Sequence, residues 1–509
     1  MPVKHIIDRI PWSEWQKRDP RYMTLDVLDR FLHGAIYNHL PYPFYQETKD
    51  GTGDYIPLRD RRPSVIYNLP RVIVERSTSL VFGDKHWPKL YTSEQSATEF
   101  LQNIVDTTSL QATMLEAAFW GSIGSVAIMF SIINDQFHYE IWNTKYCSPL
   151  FDNTRELKQI LLRYPTYGYD LRAIGFTIDD DNLGKLHFFI KKVDTKTTTI
   201  YSPILCEEWD PDDPQLNISE EVAHNYGFIP GVWIRNFPIS SGIDAEATFS
   251  QILHISVEID YQLSQCGRGL KYNSDPQLMI KEPPAPPDNQ LGLFGPAAGL
   301  MRVRSTSNAL IVGSEGDAKL LEISGQGQKA VLEFVKEVRK YALEVARGSR
   351  KDPDKAYGNT SGRAMEILDE DPIALAAVLR ISYGERGLKP LVMKILRAAK
   401  QAGLYAGEPD ALDFSIKLQW GNWFDPTPTD HFQEEQALDL AVRGRRLYES
   451  EARMLAAARW AVGYAKPEDV DAEYPIPPTP NIVKDEIDAG VAIKRAAPAR
   501  TPAITNGNG

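Results

Sequence analysis

Two long amphipathic segments, 244–266 and 326–347, constrain the fold of this chain more than any other feature. Both repeat apolar residues at intervals of three and four, which predicts helices of more than 20 residues and roughly 30 Å. The stripes are Phe249, Ile252, Leu253, Val257, Ile259 and Leu263 in the first segment and Val331, Phe334, Val335, Val338, Tyr341, Ala342 and Val345 in the second. A single helical hairpin cannot bury both stripes completely, so the pattern favours packing between identical copies.

A compact lobe of different character, about 272–323, separates the two predicted helices. It combines the strand-like runs DPQLMIKE, NALIVG and AKLLEIS with the stiff PPAPPD and the Gly-rich LGLFGPAAGL. The proline run is extended and poor in backbone donors, which suits an exposed connection. We therefore expect a small strand-rich lobe carried on two helices.

The chain before these helices begins with helical patterns and continues as a strand-rich block. Helices are predicted at 24–40, at 67–83 with its end at Gly83, and at 103–120. Antiparallel strands are predicted at 125–132, 137–142, 157–164, 174–180, 185–193 and 197–205. The fold class predicted from this mixture is α+β.

The chain after the second long helix is mainly helical. A loop at 347–360 precedes helical segments at 361–371, 374–383 and 388–403, and Asp371 and Pro372 predict a kink or a new helix start. A strand-like run at 414–420 follows, then helices at 431–444 and 450–463. The Pro- and Ala-rich tail, 471–509, is predicted to be flexible.

Composition excludes several classes of protein. The 509 residues carry 56 Lys and Arg against 68 Asp and Glu, a formal net charge of −12, which argues against a protein that coats nucleic acid. Three separated cysteines indicate neither a disulfide framework nor a zinc ribbon. The sequence shows no signal peptide and no run of about 18 apolar residues, so no membrane association is expected.

Motifs of catalysis and metal binding are missing from the sequence. It has no HExxH pair, no GxSxG elbow and no GxxxxGK[ST] phosphate loop, so we predict no catalytic residues, no metal site, no cofactor and no enzyme activity. The run Gly325 to Ala330 matches the GxGxxA pattern of dinucleotide-binding turns. No second parallel strand with a terminal acid follows it, so a flexible turn that releases a long helix is the favoured interpretation.

Four other clusters allow a structural and a functional interpretation. The carboxylates at 210–214 and 368–372 could be paired acids, but Asp before Pro is typical of turns and caps. Arg59, Arg61 and Arg62 indicate a solvated turn or an inter-chain contact. Trp420 and Trp423 are expected to pack at a strand end, since burying aromatic area is their commoner use.

The order of these segments, with several local patterns, resembles the portal proteins of tailed bacteriophages. YNLPRVIVERSTSLVFGD resembles that family's early helix, FWGSIGSVAIMFSI its Gly-led strand, NTSGRA the start of its kinked helix, and WGNWFDPTPTD the segment before its C-terminal helices. The resemblance covers about 68–463. The Gly- and Pro-rich stretch 283–300 is longer than in the simplest members of the family.

The resemblance implies a domain organisation. Residues 1–243 would form the N-terminal region and wing, 244–270 the first stem helix, 271–324 the clip, 325–347 the second stem helix and 348–360 the tunnel loop. The kinked helix and the rest of the wing would occupy 361–425, the helical crown 426–470 and the flexible tail 471–509.

The resemblance also implies a function in the virion. Portal proteins form a closed ring, typically of twelve subunits, at one capsid vertex, and double-stranded DNA passes through it during packaging and ejection. Implied partners are the terminase large subunit, the head-tail adaptor, the major capsid and scaffolding proteins and, transiently and without sequence preference, DNA. Assembly would take place in the host cytoplasm. An acidic ring fits this role, since it would repel its cargo.

Two groups of candidate site residues follow from the resemblance. The clip residues expected to dock partners are Pro283, Pro284, Pro286, Pro287 and Phe294. The tunnel-loop residues expected to contact DNA phosphates are Arg347, Arg350, Lys351 and Lys355. A solvated helix C-terminus, where cations meet the helix dipole, is the other explanation for these cations. The alternative functions are another virion structural component, such as a capsid or adaptor protein, and, less favoured, a nucleic-acid-processing enzyme.

Overall fold

The fold is a mixed α+β architecture, as the sequence predicts. The computed structural model describes residues 4–210, 216–237, 242–273, 277–281, 317–321, 326–348, 369–409, 416–424, 428–444, 446–448 and 451–455. The chain divides into one unit of 1–360 with 364–424 and a second unit of 361–363 with 425–509.

Helices dominate the N-terminal part of the first unit. They are α1 Lys4–Ile7, α2 Glu14–Lys17, α3 Pro20–Leu32, α4 Leu69–Phe82, α5 Gln95–Thr107 and α6 Leu110–Gly121. The predicted end of α4 at Gly83 is confirmed, because the Gly83 N–H closes the helix on the Ser79 carbonyl. Between α3 and α4, two short strands, β1 Tyr42–Pro43 and β2 Arg61–Arg62, pair in parallel.

Two helix predictions in this region are corrected. The helix predicted at 24–40 begins four residues earlier, at Pro20, because the Asp19 carboxylate caps it by accepting a hydrogen bond from the Tyr22 N–H at 2.9 Å. It ends at Leu32, because Gly34 adopts a left-handed conformation that turns the chain. The helix predicted at 103–120 is two helices, α5 and α6, because Thr108 is extended.

The strand-rich block consists of two antiparallel sheets. Its strands are β4 Ser125–Ile133, β5 Gln136–Asn143, β6 Cys147–Phe151, β7 Leu157–Tyr167, β8 Leu186–Asp194, β9 Thr197–Leu205, β10 Ile218–Ala223 and β11 Gly231–Arg235. One sheet has the order β11-β4-β5 and the other β10-β9-β8-β7-β6. Five of the predicted strands are confirmed, with their antiparallel pairing.

The strand predicted at 174–180 is wrong. A short helix, α7 Gly168–Ala173, precedes that segment, and Gly175 adopts a positive φ of 105°. The Phe176 N–H then donates to the Leu171 carbonyl, and Arg172 reaches the Ile178 carbonyl. Because its hydrogen bonds turn back onto α7, this segment pairs with no described strand.

The two long helices are present as α8 Leu253–Asn273 and α9 Gln326–Val345. Between them, β12 Gln277–Lys281 and β13 Asp317–Leu321 form an antiparallel pair, which confirms the strand character of DPQLMIKE and AKLLEIS. The first helix begins at Leu253 and not near Asp244. Asp244 instead binds Arg21 and Ser125 from the N-terminal region, which holds it in irregular backbone.

The remainder of the first unit is helical apart from one short strand. It contains α10 Glu370–Leu379, a π-helical segment Arg380–Leu388, α11 Lys389–Gln401 and β14 Lys417–Gln419, which pairs with β3 Lys89–Tyr91. Asp369 takes the cap position expected of Asp371, so Pro372 lies in the first turn. One continuous apolar core joins α3, α4, α6, β4, β11, α8, α10 and α11.

The second unit is described chiefly through α12 Pro428–Arg443, which confirms the helix predicted at 431–444. Arg443 pairs with Asp439 one turn earlier at 2.8 Å. Phe432 and Leu440 are exposed on this helix.

Candidate functional site

The α8–α9 pair is the part of the fold that the functional prediction concerns most directly. The start of α9 lies beside the end of α8, since the Cys266 thiol contacts the Gln328 carbonyl oxygen at 3.8 Å. The other end of α9 reaches the 3₁₀ turn Ser250–Ile252 that precedes α8, so the helices are antiparallel. Gly269 of α8 also lies against the Gln328 side chain, since a Cβ there would be 2.9 Å from the Gln328 Nε2.

A buried carboxylate fixes α8 to the N-terminal region. Asp260 is 3% exposed and accepts hydrogen bonds from the Tyr37 hydroxyl at 2.9 Å and the Tyr67 backbone N–H at 2.8 Å. Burial raises the pKa of Asp260 to about 6, against the lowering effect of these two donors. Burial and the adjacent carboxylate raise the pKa of Tyr37 above its ordinary value. The site can therefore change protonation near neutral pH.

Three further contacts continue this attachment along α8. The Ser264 hydroxyl accepts from the Val65 N–H at 3.0 Å, and the Tyr261 hydroxyl donates to the Arg61 carbonyl at 3.0 Å. One turn later Arg268 pairs with Glu47. All the partners come from residues before α4, about 200 positions earlier in the chain, so α8 is held by long-range contacts.

A second polar cluster fixes the segment that leads into α8. The Asp244 carboxylate accepts two hydrogen bonds from the Arg21 guanidinium, at 2.6 and 2.9 Å, and one from the Ser125 hydroxyl at 2.5 Å. Arg21 also donates to Thr144 and to the Cys147 carbonyl. A bidentate Arg–carboxylate pair fixes the relative position of its two partners. The Arg21–Asp244 pair therefore joins α3 to the segment that leads into α8, and the hydrogen bond from Ser125 adds β4.

The outer face of α9 is apolar and open. Phe334, Tyr341 and Val345 are 50%, 57% and 49% exposed, whereas Val335 and Ala342 face the core. The spacing of seven and four residues puts the three exposed side chains on one helical face. We call Phe334, Tyr341 and Val345 the α9 stripe. No described part of the chain covers it.

The end of α9 shows how Arg347 is placed. Arg347 is exposed and adopts a left-handed φ of 53°. The Gly348 N–H donates a hydrogen bond to the Leu343 carbonyl at 2.7 Å, and the Arg347 N–H donates one to the Glu344 carbonyl at 3.1 Å. This is a Schellman end, in which glycine usually takes the left-handed position. Arg350, Lys351 and Lys355 lie outside the described residues.

The remaining candidates are placed as follows. The clip residues Pro283, Pro284, Pro286, Pro287 and Phe294 lie outside the described residues. Arg59 is exposed, whereas Arg61 is buried and donates twice to the Ile56 carbonyl, at 2.6 and 2.9 Å. Arg62 donates to the Leu40 carbonyl at 3.2 Å. The Arg cluster is thus partly an internal structural element.

The tryptophan pair has the packing role that the sequence favours. The Arg380 guanidinium carbon lies 4.5 Å from the centre of the Trp420 ring and 3.4 Å from that of Trp423. Burial lowers the pKa of Arg380 to about 10. Trp420 also contacts Phe82, with ring centres 5.8 Å apart. These rings therefore secure the π-helical segment against α4.

The carboxylate clusters lack metal-site geometry where they are described. Asp369 pairs with Arg76 of α4 at 2.8 Å, and Asp210 lies 3.9 Å from Arg18. Among the described residues, His, Cys, Asp and Glu side chains form no group that could hold a metal ion. In the same part of the chain, no helix is long and apolar enough to cross a membrane.

Sequence reasoning missed the buried contacts that position α8. Asp260 stands next to Ile259 within the apolar pattern, and this break in the pattern was the available signal. Nothing in the sequence pairs it with Tyr37 and Tyr67, because those contacts depend on the tertiary fold. The Arg21–Asp244 pair, 223 positions apart, had no local signal.

Comparison with known proteins yields little. No family model and no curated protein matches the sequence. One solved chain, from the neck of a native GTA particle computed with C12 symmetry, aligns over 78% of this chain and 95% of that chain, with 13% identity and a TM-score of 0.35. So low a TM-score does not show a common fold, and this likeness supports no functional conclusion.

Proposed function

We propose that this chain is the subunit of a homo-oligomeric ring in a virion, of the portal type, through which double-stranded DNA is packaged and ejected. The observation that carries the proposal is the open α9 stripe. Exposed apolar surface on one face of a long helix marks an interaction site. A second copy of the same chain is the simplest partner, and a head-to-tail contact that closes on itself makes a ring.

The order of the described elements supports the portal interpretation. Two antiparallel sheets come before α8, the β12–β13 pair lies between α8 and α9, and a helix with a π-helical interruption follows. The first two of these parts match the order of wing, stem and clip that the sequence resemblance implies. The kinked helix is predicted to start at 361 with its kink at Pro372, and 361–368 lie outside the described residues. Residues 426–470 would form the crown.

The firm attachment of α8 also suits a ring subunit. Asp260, Ser264 and Arg268 bind the N-terminal region at successive turns of the helix. A helix held on one side can present a fixed surface on another, and rigid surfaces lose less entropy when they associate. The α8–α9 pair is therefore suited to act as the stem.

The proposed partners follow from the same role. We assign terminase and head-tail adaptor binding to the clip, capsid and scaffolding contacts to the outer parts of the ring, and transient DNA contact to 347–360. The charge of −12 per subunit would leave the ring acidic, so that DNA is repelled from most of the wall. The cations of 347–360 would be local exceptions.

Negative-stain electron microscopy and native mass spectrometry of the purified chain test the ring. The expected result is a closed particle with a central hole and a single subunit number near twelve. Replacing Phe334 and Tyr341 by Ser should abolish assembly, whereas Ile133→Ser, at an exposed hairpin position, should not. A stable monomer at all concentrations would refute the proposal. An open filament would indicate a different virion component.

The DNA-contacting role has its own test. Replacing Arg350, Lys351 and Lys355 together by Ala should leave ring formation unchanged and reduce packaging or genome retention, because the three proposed phosphate contacts per subunit are lost. Replacing three exposed cations elsewhere, Lys49, Lys89 and Lys196, is the matched control. Normal packaging and retention in the first triple variant would remove this assignment.

A further inference from the structure

The end of α3 carries a buried cluster of charged side chains. The Lys145 ammonium donates to Asp29 at 2.5 Å and to Asp26 at 3.1 Å, and Arg30 pairs with Asp26 at 2.6 Å. The two carboxylates are thus balanced by two cations. The Asp29 Oδ1 atom is nevertheless buried without a hydrogen bond among the described residues, and His33 Nδ1 lies 3.3 Å from it. An unsatisfied carboxylate oxygen therefore faces the His33 ring.

The hydrogen bond that His33 makes decides which of its ring nitrogens can take up a proton. The Nδ1 atom is 2.9 Å from the backbone carbonyl oxygen of Asp29, one turn earlier in α3. A carbonyl oxygen can only accept, so Nδ1 carries a hydrogen and Nε2 is the nitrogen that titrates. The His33 side chain is 34% exposed, so solvent can deliver the proton.

The surroundings of the His33 ring favour its charged form. The ring packs on Trp120 at the end of α6, with ring centres 5.1 Å apart, and lies edge-on to Phe119, with ring centres 6.0 Å apart. Trp120 is itself held by Glu116, which accepts a hydrogen bond from the indole N–H at 3.2 Å. His33 directly follows the last residue of α3. A cation is stabilised both by an aromatic ring and by the C-terminus of a helix.

A cation of α4 opposes the charge on His33. Arg71 pairs with Glu75 at 2.6 Å, and its guanidinium carbon lies 5.8 Å from the centre of the Phe119 ring that also contacts His33. The hydrogen bond to Asp29 raises the pKa of His33 above its ordinary value of 6.5, against the lowering effects of partial burial and of Arg71. His33 therefore keeps its proton to a higher pH than an unperturbed histidine does.

We propose that His33 is a pH-sensitive clasp, which ties the end of α3 to Trp120 at the end of α6 when the imidazole is protonated and loosens as the pH rises. Loss of the proton removes the charged partner of Asp29 Oδ1 and the cation at the helix end, whereas Lys145 still binds α3. A histidine with a raised pKa contributes stability that is fully present below pH 6.5 and is lost as the pH rises through the folded value. The clasp lies within one subunit, so it does not depend on the proposed ring.

Exchange of the imidazole Cε1 hydrogen for deuterium, followed by mass spectrometry over a pH series, measures the titration midpoint of His33 in the full chain. We expect a midpoint above 6.5. Arg71→Gln should raise the midpoint further, because the opposing cation is removed. Lys49→Gln, which removes an exposed cation between β1 and β2, should leave it unchanged. A midpoint at or below 6.5, or one that Arg71→Gln does not raise, would overturn the clasp.

Amide hydrogen exchange of residues 117–121 tests whether protonation tightens the contact between α3 and α6. After correction for intrinsic rates, we expect exchange about two- to fivefold slower at pH 6 than at pH 8, the range that a single cation at a helix end sets. His33→Gln should remove this difference, and His138→Gln, at an exposed position of β5, should retain it. Equal exchange at the two pH values in the unsubstituted chain would refute the clasp. A difference that persists in His33→Gln would also refute it, because another group such as Asp260, with its pKa of about 6, would then be the cause.

Discussion

Asp260 is a buried residue through which the stability of the fold depends on pH. Its pKa in the folded chain is about 6, above the ordinary value of 3.8, because burial disfavours the charged form. A raised carboxyl pKa contributes stability that is fully present below pH 4 and is lost as the pH rises through 6. The folded state is therefore disfavoured by this group at neutral pH.

We predict that Asp260→Asn stabilises the subunit by about 1–2 kcal/mol at pH 7.5 and has little effect near pH 4. The amide keeps an acceptor for the Tyr67 N–H and cannot ionise. Urea unfolding at pH 4, 6 and 7.5 measures the difference, and Asp50→Asn, at an exposed turn, is the control. An effect of equal size at all three pH values would contradict the assignment.

Arg347 is a second residue that affects stability, because its left-handed backbone conformation costs free energy of folding. A non-glycine residue in the left-handed conformation at a helix end is strained by about 1 kcal/mol or more. Arg347→Gly should therefore be more stable than Arg347→Ala by about 1 kcal/mol, since both variants lose the charge and only one relieves the strain. Thermal unfolding of the two variants compares them, and equal midpoints would argue against the left-handed geometry.

At the scale of elements, the π-helical segment Arg380–Leu388 is packed too closely to accept a larger side chain. A Cβ added at Gly384 would lie 2.6 Å from Cζ2 of Trp420, a ring already held between Arg380 and Phe82. Glycine is therefore needed at this position because the neighbouring ring leaves no room for a Cβ, and not because the backbone has a positive φ.

Gly384→Ala should destabilise the subunit by about 1–3 kcal/mol, because Trp420 must move out of its contacts. Gly327→Ala is the matched control, since a Cβ at that position of α9 meets nothing within 4 Å. It should be neutral or stabilising by up to about 1 kcal/mol. Unfolding followed by tryptophan fluorescence measures the stability of both variants. An equal loss of stability in Gly384→Ala and Gly327→Ala would contradict the packing argument.

The elements that could be predicted from sequence are those with a local signal. The end of α4 at Gly83, the strands β4, β5, β7, β8 and β9, and α9 all carry strong periodicity or a terminating residue. The start of α8 could not be predicted, because Asp244 is held by Arg21, far away in the chain. The segment 174–180 has the alternating pattern of a strand, yet its backbone N–H groups bond to carbonyls of α7 and it does not form one.

The candidate site was predictable to a smaller extent. The apolar stripe of α9 is visible as a helical repeat, but only the structure separates the half that faces α8 from Phe334, Tyr341 and Val345, which stay exposed. The cavity beside α8 has no sequence signature, since its walls combine residues near position 40 with residues near 260. The assignments for the tunnel loop and clip remain predictions, apart from the placement of Arg347.

For the whole molecule, the lobe between α8 and α9 should be separable from ring formation. Both helices are held by contacts outside the lobe, at Asp260 and Cys266 among others. Deleting 283–300 should therefore leave rings intact and weaken terminase or adaptor binding. Electron microscopy checks the rings and a pull-down with each partner checks the docking. Loss of assembly on this deletion would show that the lobe is an assembly element.

The long-range attachment of α8 also sets the order in which the chain can mature during synthesis. Residues 37, 65 and 67 leave the ribosome well before their partners on α8, and α9 follows about 60 residues later. Contacts of such high sequence separation form late and slowly. The attachment of α8 and the α9 stripe therefore become complete only when most of the chain has been made. In the ring that we propose, a short nascent chain would lack the surface that meets its neighbours.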